Sequence, residues 1–299
     1  MKSKLKHVIL SASLAMTVSS SLSTVSAATA EFPTLSSLGE HLFTDNNLSL
    51  SRTQSCATCH NPREGFIDTR NNGIDGAVSI GHDGFSLGNR NAPTISYAAF
   101  TPNFTGTNAN NARGGQFWDG RSSDLVAQAG EPQLNPIEMG MLSKVDVVSR
   151  LQENNAYVEA FQSYFGENVF DDTELAYTAM SESLAAFEQS DAVSPFDSKF
   201  DRHLTGDYTL TNAEQRGMNL YFSNQTSCTR CHSTTMNNRN GQGGGRGNNR
   251  NNPAINPATL AGSELFTNFR YFNNGTPSNT DLNNLLASVG AHSEFLNTG

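Results

Sequence analysis

Two short segments of the sequence each combine two thiols with an imidazole. The first is Cys56-Ala57-Thr58-Cys59-His60 and the second is Cys228-Thr229-Arg230-Cys231-His232. The C-x-x-C-H pattern is the attachment signature of a c-type haem, in which both thiols form thioethers with the vinyl groups and the histidine ligates the iron. Residues three apart share one face of a helical turn, so the two cysteines can reach one edge of a porphyrin. The sequence therefore predicts two covalently bound haem c groups, with His60 and His232 as iron ligands.

The cysteine count favours haem over the other chemistries of paired thiols. All four cysteines of the chain lie in the two motifs. A zinc site needs two C-x-x-C pairs that converge on one ion, and it needs no histidine after both. A thioredoxin-like pair would follow a strand in a βαβ pattern, which the sequence lacks. Zinc, a disulfide and a redox pair stay open as alternatives.

The first 27 residues have the pattern of a secretory signal peptide. Lys2, Lys4 and Lys6 form a positive start, residues 8–18 a short apolar core, and Val25-Ser26-Ala27 a small-residue cleavage site. The apolar run is too short for a membrane span, and no other stretch qualifies. We therefore expect a periplasmic protein without a membrane span, whose mature chain begins near residue 28.

The acidity of the chain bears on its partners. Its formal charge is −9, and removal of residues 1–27, with three lysines and no acidic residue, would take it to −12. Haem propionates would add further negative charge. Such a chain disfavours nucleic acid and favours basic or dipolar protein partners.

The segments before the two motifs are alike, which predicts a repeated unit. Residues 32–43 have the leucine spacing of a short helix, and a polar loop leads from them to the first motif. Thr211-Asn212-Ala213-Glu214 is a capping box that opens a helix through Phe222, again followed by a loop and a motif. This order predicts a mainly α protein of two cytochrome-c-like haem domains with long loops, at residues 28–205 and 206–299.

The sequence between the motifs is too long for a simple linker. Residues 61–111 are rich in Gly, Asn and Asp, which predicts loops. Helical periodicity then gives one apolar face at residues 157–165 and another at 176–187, and we expect both helices to pack around the first haem. Residues 237–252 contain only Asn, Arg, Gly and Gln, which predicts a flexible surface insertion.

Three further segments follow the first motif in order. They are Asn91-Ala92-Pro93-Thr94, Gln116-Phe117-Trp118-Asp119-Gly120-Arg121, and Asn135-Pro136-Ile137-Glu138-Met139, the last preceded by Gln128. Together with the two motifs at this separation, they make the chain resemble the bacterial di-haem cytochrome c peroxidase and MauG superfamily, from about Leu35 to its last residue. Residues 266–275 are more similar to the MauG branch than to the short peroxidases.

The resemblance implies roles around the first haem. The haem on His60 would react with peroxide, Glu138 matches the distal acid–base carboxylate, and Gln128 matches its polar neighbour. His82 matches the histidine that binds and blocks this iron in many resting peroxidases. A carboxylate over an open iron can move a proton between the two peroxide oxygens, so the chemistry of Glu138 agrees with this role.

The resemblance also implies roles between the domains. Trp118 matches the tryptophan that lies between the two haems, and Asn91 matches a ligand of an inter-domain calcium ion. Structural alternatives stay open: Trp118 as a core side chain, His82 as a loop histidine without an iron bond, and Glu138 as a carboxylate that caps a helix start.

The end of the chain departs from the family pattern. Relatives continue past the position matching residues 295–299, with a Pro-Thr/Ser-Leu-Arg-Asn segment, further calcium ligands and the Met or Tyr that binds the second iron. We therefore expect a truncated or degenerate member, in which the sixth ligand of the second haem is not identified. Met139, Met141 and His292 are candidate substitutes.

Three functions are consistent with these residues. The first is a peroxidase that reduces hydrogen peroxide to water with electrons from a small cytochrome c or cupredoxin. The second is a MauG-like oxidase acting on a partner protein, which residues 266–275 favour. The third is an electron carrier with two axially saturated haems. Glu138 and Gln128 have no evident purpose in a carrier, so the peroxidase is preferred. The resemblance also implies that the chain can form a homodimer.

Overall fold

The structure, a computed structural model, describes residues 31–71, 77–107, 111–233 and 264–272. These residues are mainly helical, which confirms the predicted fold class, and β-structure within them is limited to isolated bridges. The helices are α1 (Leu35–Thr44), α2 (Cys56–Cys59), α3 (Leu125–Ala129), α4 (Glu131–Leu134), α5 (Lys144–Gln152), α6 (Asn155–Phe165), α7 (Thr173–Glu188), α8 (Lys199–Leu204) and α9 (Asn212–Phe222). Single 3₁₀ turns occur at Asn46–Leu48, Pro62–Glu64, Ala98–Phe100, Val169–Asp171 and Cys228–Arg230. The predicted signal peptide and the insertion at 237–252 lie outside the described residues.

Helix α1 packs directly on α7, and the two helices form the centre of the core. Thr34 and Ser37 cap α1 through a reciprocal pair of 3.0 Å hydrogen bonds. Its leucine face buries Leu38 and Leu42 completely, as the spacing predicts. A Cβ at Gly39 would lie only 1.9 Å from the carbonyl oxygen of Ser183, so only glycine permits this close crossing. The crossing fixes the helix that precedes the first motif against the longest described helix.

Helix α7 carries the predicted apolar face and is buried along it. Ala176, Met180 and Leu184 have almost no exposed surface, and each large apolar side chain buried in this way contributes about 2 kcal/mol. Helix α6 buries Tyr157 and Phe161 in the same core. The expectation that both helices surround the first haem is only half met, because α7 lines the cavity beside the first motif and α6 does not.

Long loops connect these helices, as the composition predicts. Residues 61–71 and 77–107 contain only single 3₁₀ turns. A loop at 111–122 joins the segment 264–272: Gly114 N donates to Phe269 O, and the Tyr271 hydroxyl donates to Gly114 O, both at 2.8 Å. The first half of the molecule is therefore tied to the segment that follows the second motif.

Aromatic side chains hold the region around the second motif. Phe200 of α8 packs against Phe222 of α9 and against Phe266, and Tyr221 packs edge-on to Phe266. Helix α9 begins at the predicted capping box, where the Thr211 side chain accepts from Glu214 N. No helix in the described part of the chain is both long and apolar enough to cross a membrane.

Candidate haem-binding site

The first motif forms one helical turn that presents both thiols to the same side. Helix α2 spans Cys56–Cys59, and His60 N closes the turn on Cys56 O at 2.8 Å. Ser55 N donates to the Thr58 hydroxyl, which fixes the start of the turn. Burial, followed by the nearby carboxylates, raises the pKa of the Cys56 thiol to about 12. Both thiols line one cavity.

His60 is oriented by a backbone carbonyl. Its Nδ1 lies 3.2 Å from Phe66 O, and this acceptor selects the tautomer with the proton on Nδ1. Burial lowers the pKa of His60, which favours the neutral form of the ring. Phe66 itself has a φ of 60°, a left-handed conformation that aims its carbonyl back at the ring. The remaining nitrogen, Nε2, is left with the lone pair that an iron ligand needs.

The cavity beside His60 has a second wall, which α3, α4 and the following turn supply. That wall contains Gln128, Pro132 and Glu138, while Cys56, Cys59 and His60 lie in the first. The structure thus brings together the predicted attachment residues of the first haem and the three predicted catalytic residues, Glu138, Gln128 and Trp118. They surround one space from different parts of the chain.

Glu138 lies in a turn after α4 and not at a helix start, so it does not cap a helix. Two bonds to its carbonyl oxygen fix the turn, from the Gln54 side chain at 2.6 Å and from His82 N at 2.8 Å. Burial raises the pKa of the Glu138 carboxyl to about 7, although the charge of Arg121 and a hydrogen bond from Asn135 act against the rise. A carboxyl with this pKa can both accept and donate a proton near neutral pH.

Trp118 and Asn91 are directly linked. The indole Nε1 donates to Asn91 O at 2.8 Å. Trp118 is 57% exposed, so it is not a core side chain. It lies on the loop that is tied to residues 264–272, and it also lines the cavity of the first motif, as Asn91 does. The tryptophan is therefore placed at the edge of the first site on the loop that leads to the second.

His82 is not brought to this cavity. Its Nδ1 lies 2.9 Å from the Ser51 hydroxyl. Its Nε2 packs over Gly140, where an added Cβ would lie 2.2 Å from it. An iron bond from His82 would therefore require its loop to move, and the ligand role of this residue stays a prediction.

The second motif repeats the imidazole arrangement at the surface. His232 Nδ1 lies 3.2 Å from Phe266 O, and Phe266 also has a positive φ, of 54°. The Tyr221 hydroxyl donates to His232 O at 2.7 Å. His232 and Cys231 are exposed. The proximal half of a haem site is thus present here as well.

Two of the candidate sixth ligands for the second haem are excluded by their positions. Met139 and Met141 are 4% and 3% exposed and belong to the core of the first region. Met139 also lines the cavity of the first motif. Both thioethers are therefore buried away from solvent, whereas His232 is exposed, and His292 lies outside the described residues.

A sequence model of the family described as di-haem cytochrome c peroxidase matches residues 33–209. The chain belongs to this family. Membership confirms the resemblance that the motifs indicate, and a di-haem family implies two c-type haems. Within the described part of the chain, no group of three or more His, Cys, Asp or Glu residues could hold a separate metal ion. The calcium role of Asn91 therefore stays a prediction.

The similar proteins include both branches of the superfamily. Methylamine utilization protein MauG of Paracoccus denitrificans is 42% identical over 245 residues, which cover 82% of this chain and 57% of that protein. Cytochrome c551 peroxidase of Pseudomonas aeruginosa is 35% identical over 201 residues, covering 66% and 49%. The crystal structure of the diheme peroxidase BthA from Burkholderia thailandensis matches with a TM-score of 0.63 and 26% identity, covering 88% of this chain and 62% of that one. The chain thus spans about half to three-fifths of the length of these relatives.

The first cavity fits a c-type haem of this family. Two thiols on one face, an imidazole with a free Nε2 and an acid in the same cavity meet the requirements of covalent attachment, iron ligation and proton transfer. Glu188, at the end of α7, also lines the cavity, and its Oε2 is buried without a protein hydrogen-bond partner. Burial raises the pKa of the Glu188 carboxyl to about 8.

Sequence reasoning missed three contributors to this site. Phe66 and Phe266 hold the two histidines through backbone carbonyls, and a phenylalanine carries no sequence signal for a left-handed conformation. Glu188 resembles an ordinary acid at a helix end, although its place in the apolar face of α7 is a usable signal, since it follows Leu184 by one turn.

Proposed function

We propose that the chain is the haem-bearing part of a peroxidase that reduces hydrogen peroxide to water at the first site. The reaction takes up two electrons and two protons for each peroxide and breaks its O–O bond. The observation that supports it is Glu138, a carboxyl with a pKa of about 7, which lines the same cavity as His60. An electron carrier would have no use for a proton-transferring group there.

The residues of the first site would have three distinct roles in this reaction. Cys56, Cys59 and His60 would hold the first haem, which supplies the redox chemistry at its iron when bound. Glu138 accepts a proton from one peroxide oxygen and returns it to the other, which then leaves as water. Gln128, in the same wall, orients the peroxide through its side-chain amide.

Electrons would arrive from a small cytochrome c or cupredoxin through the second haem, on Cys228, Cys231 and His232. The loop at 111–122 supports this route, because it carries Trp118 and is hydrogen-bonded to the segment that orients His232. The formal charge of −9 favours a donor with a basic face.

Steady-state turnover of the holoprotein with hydrogen peroxide and a reduced donor cytochrome tests the proposal. We expect Glu138→Gln to lower kcat by about 10²–10⁴ while the haem content stays unchanged. Glu40→Gln, at an exposed position of α1, is the matched control and should keep full activity. Absence of turnover in the wild type, even after pre-reduction, would refute the peroxidase.

A MauG-like oxidase is the second candidate, and two observations favour it. The chain is 42% identical to a MauG protein over 82% of its length, and Trp118 is 57% exposed at the edge of the first site. An exposed indole can pass oxidising equivalents to a bound partner protein. Peptide mass spectrometry of proteins that co-purify with the chain, before and after peroxide, separates the two functions, because only the oxidase leaves a modified partner residue.

Four further parts of the proposal concern the whole protein. The chain is exported to the periplasm, its domains meet near residue 205, Asn91 contributes to a calcium site between them, and two chains pair as a homodimer. Elemental analysis of the native holoprotein tests the calcium, and light scattering tests the dimer. N-terminal sequencing of the periplasmic fraction tests export.

A further inference from the structure

A second cavity adjoins the haem cavity on the side of Glu138. It has a volume of about 930 Å³, within the range of small-molecule sites. Arg121, Ile137 and Glu138 line both cavities. The proton-transferring carboxyl therefore lies where the two spaces meet. Phe85 also lines the second cavity and is 76% exposed, so the cavity reaches solvent there.

Much of the wall of this second cavity is apolar. Its apolar side chains come from separate parts of the chain and include Leu87, Phe117, Val126, Ile137 and Tyr177. Hydrogen peroxide is small and polar, so its reduction at Glu138 does not require an apolar space of this size. The cavity therefore suits a larger molecule with an apolar body.

The charges in the wall leave an ionic ligand little to pair with, because its cations are paired and two of its three carboxylates, Asp119 and Glu131, are among their partners. Each cation of the lining is already paired with a carboxylate. Arg90 lies 2.9 Å from Asp119, Arg121 lies 3.4 Å from Glu131, and Lys144 lies 2.6 Å from Glu174. An anionic ligand would have to displace one of these carboxylates, which removes the charge advantage that its binding needs.

We propose that the second cavity binds the apolar part of a neutral organic hydroperoxide, with its O–O group at the junction beside Glu138. This inference rests on the proposed peroxidase and gives it a second substrate class. The O–O bond breaks, two electrons come from the reduced donor protein, and two protons are taken up. The products are the corresponding alcohol and one water.

The test compares two peroxides on the holoprotein and on two tryptophan variants of α7. Thr178 is exposed and lines the second cavity, so Thr178→Trp fills that cavity without entering the core. Leu175 is 48% exposed on the same helix and does not line the cavity, so Leu175→Trp is the matched control. Thermal unfolding and the haem absorption spectrum establish that both variants are folded.

We expect the wild type and Leu175→Trp to reduce cumene hydroperoxide. Thr178→Trp should lower kcat/KM for cumene hydroperoxide by at least about tenfold and change that for hydrogen peroxide by less than about twofold. Turnover of hydrogen peroxide without turnover of cumene hydroperoxide would overturn the inference and leave the peroxidase intact. An equal loss with both substrates would overturn it too.

A binding measurement makes the inference independent of turnover. Cumyl alcohol, the product of cumene hydroperoxide, should bind the wild-type holoprotein in calorimetry, and Thr178→Trp should abolish the binding. If the alcohol binds in this way but no peroxide is reduced, the cavity assignment stands and the peroxidase fails. If the alcohol does not bind the wild type, the cavity assignment fails whatever the activity.

Discussion

The two C-x-x-C-H motifs hold their histidines in the same way but lie in different surroundings. In both, the histidine N–H closes on the carbonyl of the first cysteine, at 2.8 Å for His60 and 3.0 Å for His232. Both Nδ1 atoms lie 3.2 Å from the carbonyl of a phenylalanine with positive φ. The first motif lines a cavity that Glu138 also lines, whereas His232 is exposed.

The difference shows which part of a haem site a short motif can encode. The motif and one nearby carbonyl define how the histidine is held, and this hold is the same in both copies. Proton chemistry depends on other residues of the cavity, which α3, α4 and the turn at Glu138 supply from about 70 to 80 residues further along the first half of the chain. The same C-x-x-C-H pattern is therefore combined with an acid-lined cavity in one place and with an exposed surface in the other.

Removal of each pair of thiols should give the largest difference in stability between the two regions. Cys56→Ala with Cys59→Ala should remove one haem and destabilise the core by roughly 3–5 kcal/mol, because an apolar group is lost from an enclosed space beside α1 and α7. Cys228→Ala with Cys231→Ala should also remove one haem but leave that core intact. Intact mass gives the haem count, and thermal unfolding gives the stability. Equal destabilisation by the two changes would mean that the first motif supports the core no more than the second does.

The pH dependence of turnover should report the ionisation of Glu138, which lines the cavity of the first motif. The pKa of Glu138 is raised to about 7, so the carboxyl is protonated and cannot act as a base in more acidic solution. We expect kcat/KM for hydrogen peroxide to rise as the pH increases through about 7. In Glu138→Gln this transition should be absent from the remaining activity. A transition that persists in the variant would assign it to another group.

Glu188 should make the first region sensitive to pH in its stability. Burial raises its pKa from 4.5 to about 8, so between these values the folded chain keeps a proton that the unfolded chain releases. Its contribution to stability is therefore full below pH 4.5 and is lost as the pH rises to about 8, by up to about 1.4 kcal/mol per pH unit.

The measurement is chemical denaturation at several pH values. Glu188→Gln should lose this dependence and exceed the wild type in stability at pH 8. Glu182→Gln, at an exposed position of the same helix, should follow the wild type. Parallel curves for all three proteins would mean that Glu188 is not titrating in this window.

The smallest effect should come from the connection between the regions. Tyr271→Phe removes the hydrogen bond to Gly114 O and should cost about 0.5–1.5 kcal/mol. The loss should appear as faster amide exchange in the loop at 111–122, with little change in α1 or α7. Tyr208→Phe, in α9's capping region, is the control for loss of a hydroxyl and should leave the loop unchanged. Exchange that is equally fast in both variants would argue against a tether at Tyr271.

Much of the fold could be predicted because its signals are local. The capping box at Thr211 and the leucine spacing of α1 specify helices through contacts within a few residues. The attachment residues follow from covalent chemistry alone. The sequence could not show which helix lines the cavity, because α6 and α7 both have apolar faces. That difference depends on tertiary packing, in which α7 crosses α1 closely at Gly39.

The candidate site was predictable in its residue types and less so in their orientation. Glu138 and Gln128 lie in the cavity wall, but the side chain of His82 packs over Gly140 instead. That orientation depends on a contact 58 positions away in the chain, between a left-handed glycine and an imidazole ring, and no local pattern encodes it. The same is true of the two phenylalanine carbonyls, whose role depends on backbone angles and not on side-chain type.

The number of residues between each histidine and the phenylalanine whose carbonyl holds it also sets the order in which the two sites can form during synthesis. His60 and Phe66 are 6 residues apart, whereas His232 and Phe266 are 34 apart. Closing the longer loop costs about 1.5 kcal/mol more chain entropy. A chain that emerges from its N-terminus can lock the first imidazole once residue 66 is free, but the second stays unlocked until residue 266 follows. Haem attachment at the second motif can therefore precede the closure of its own site.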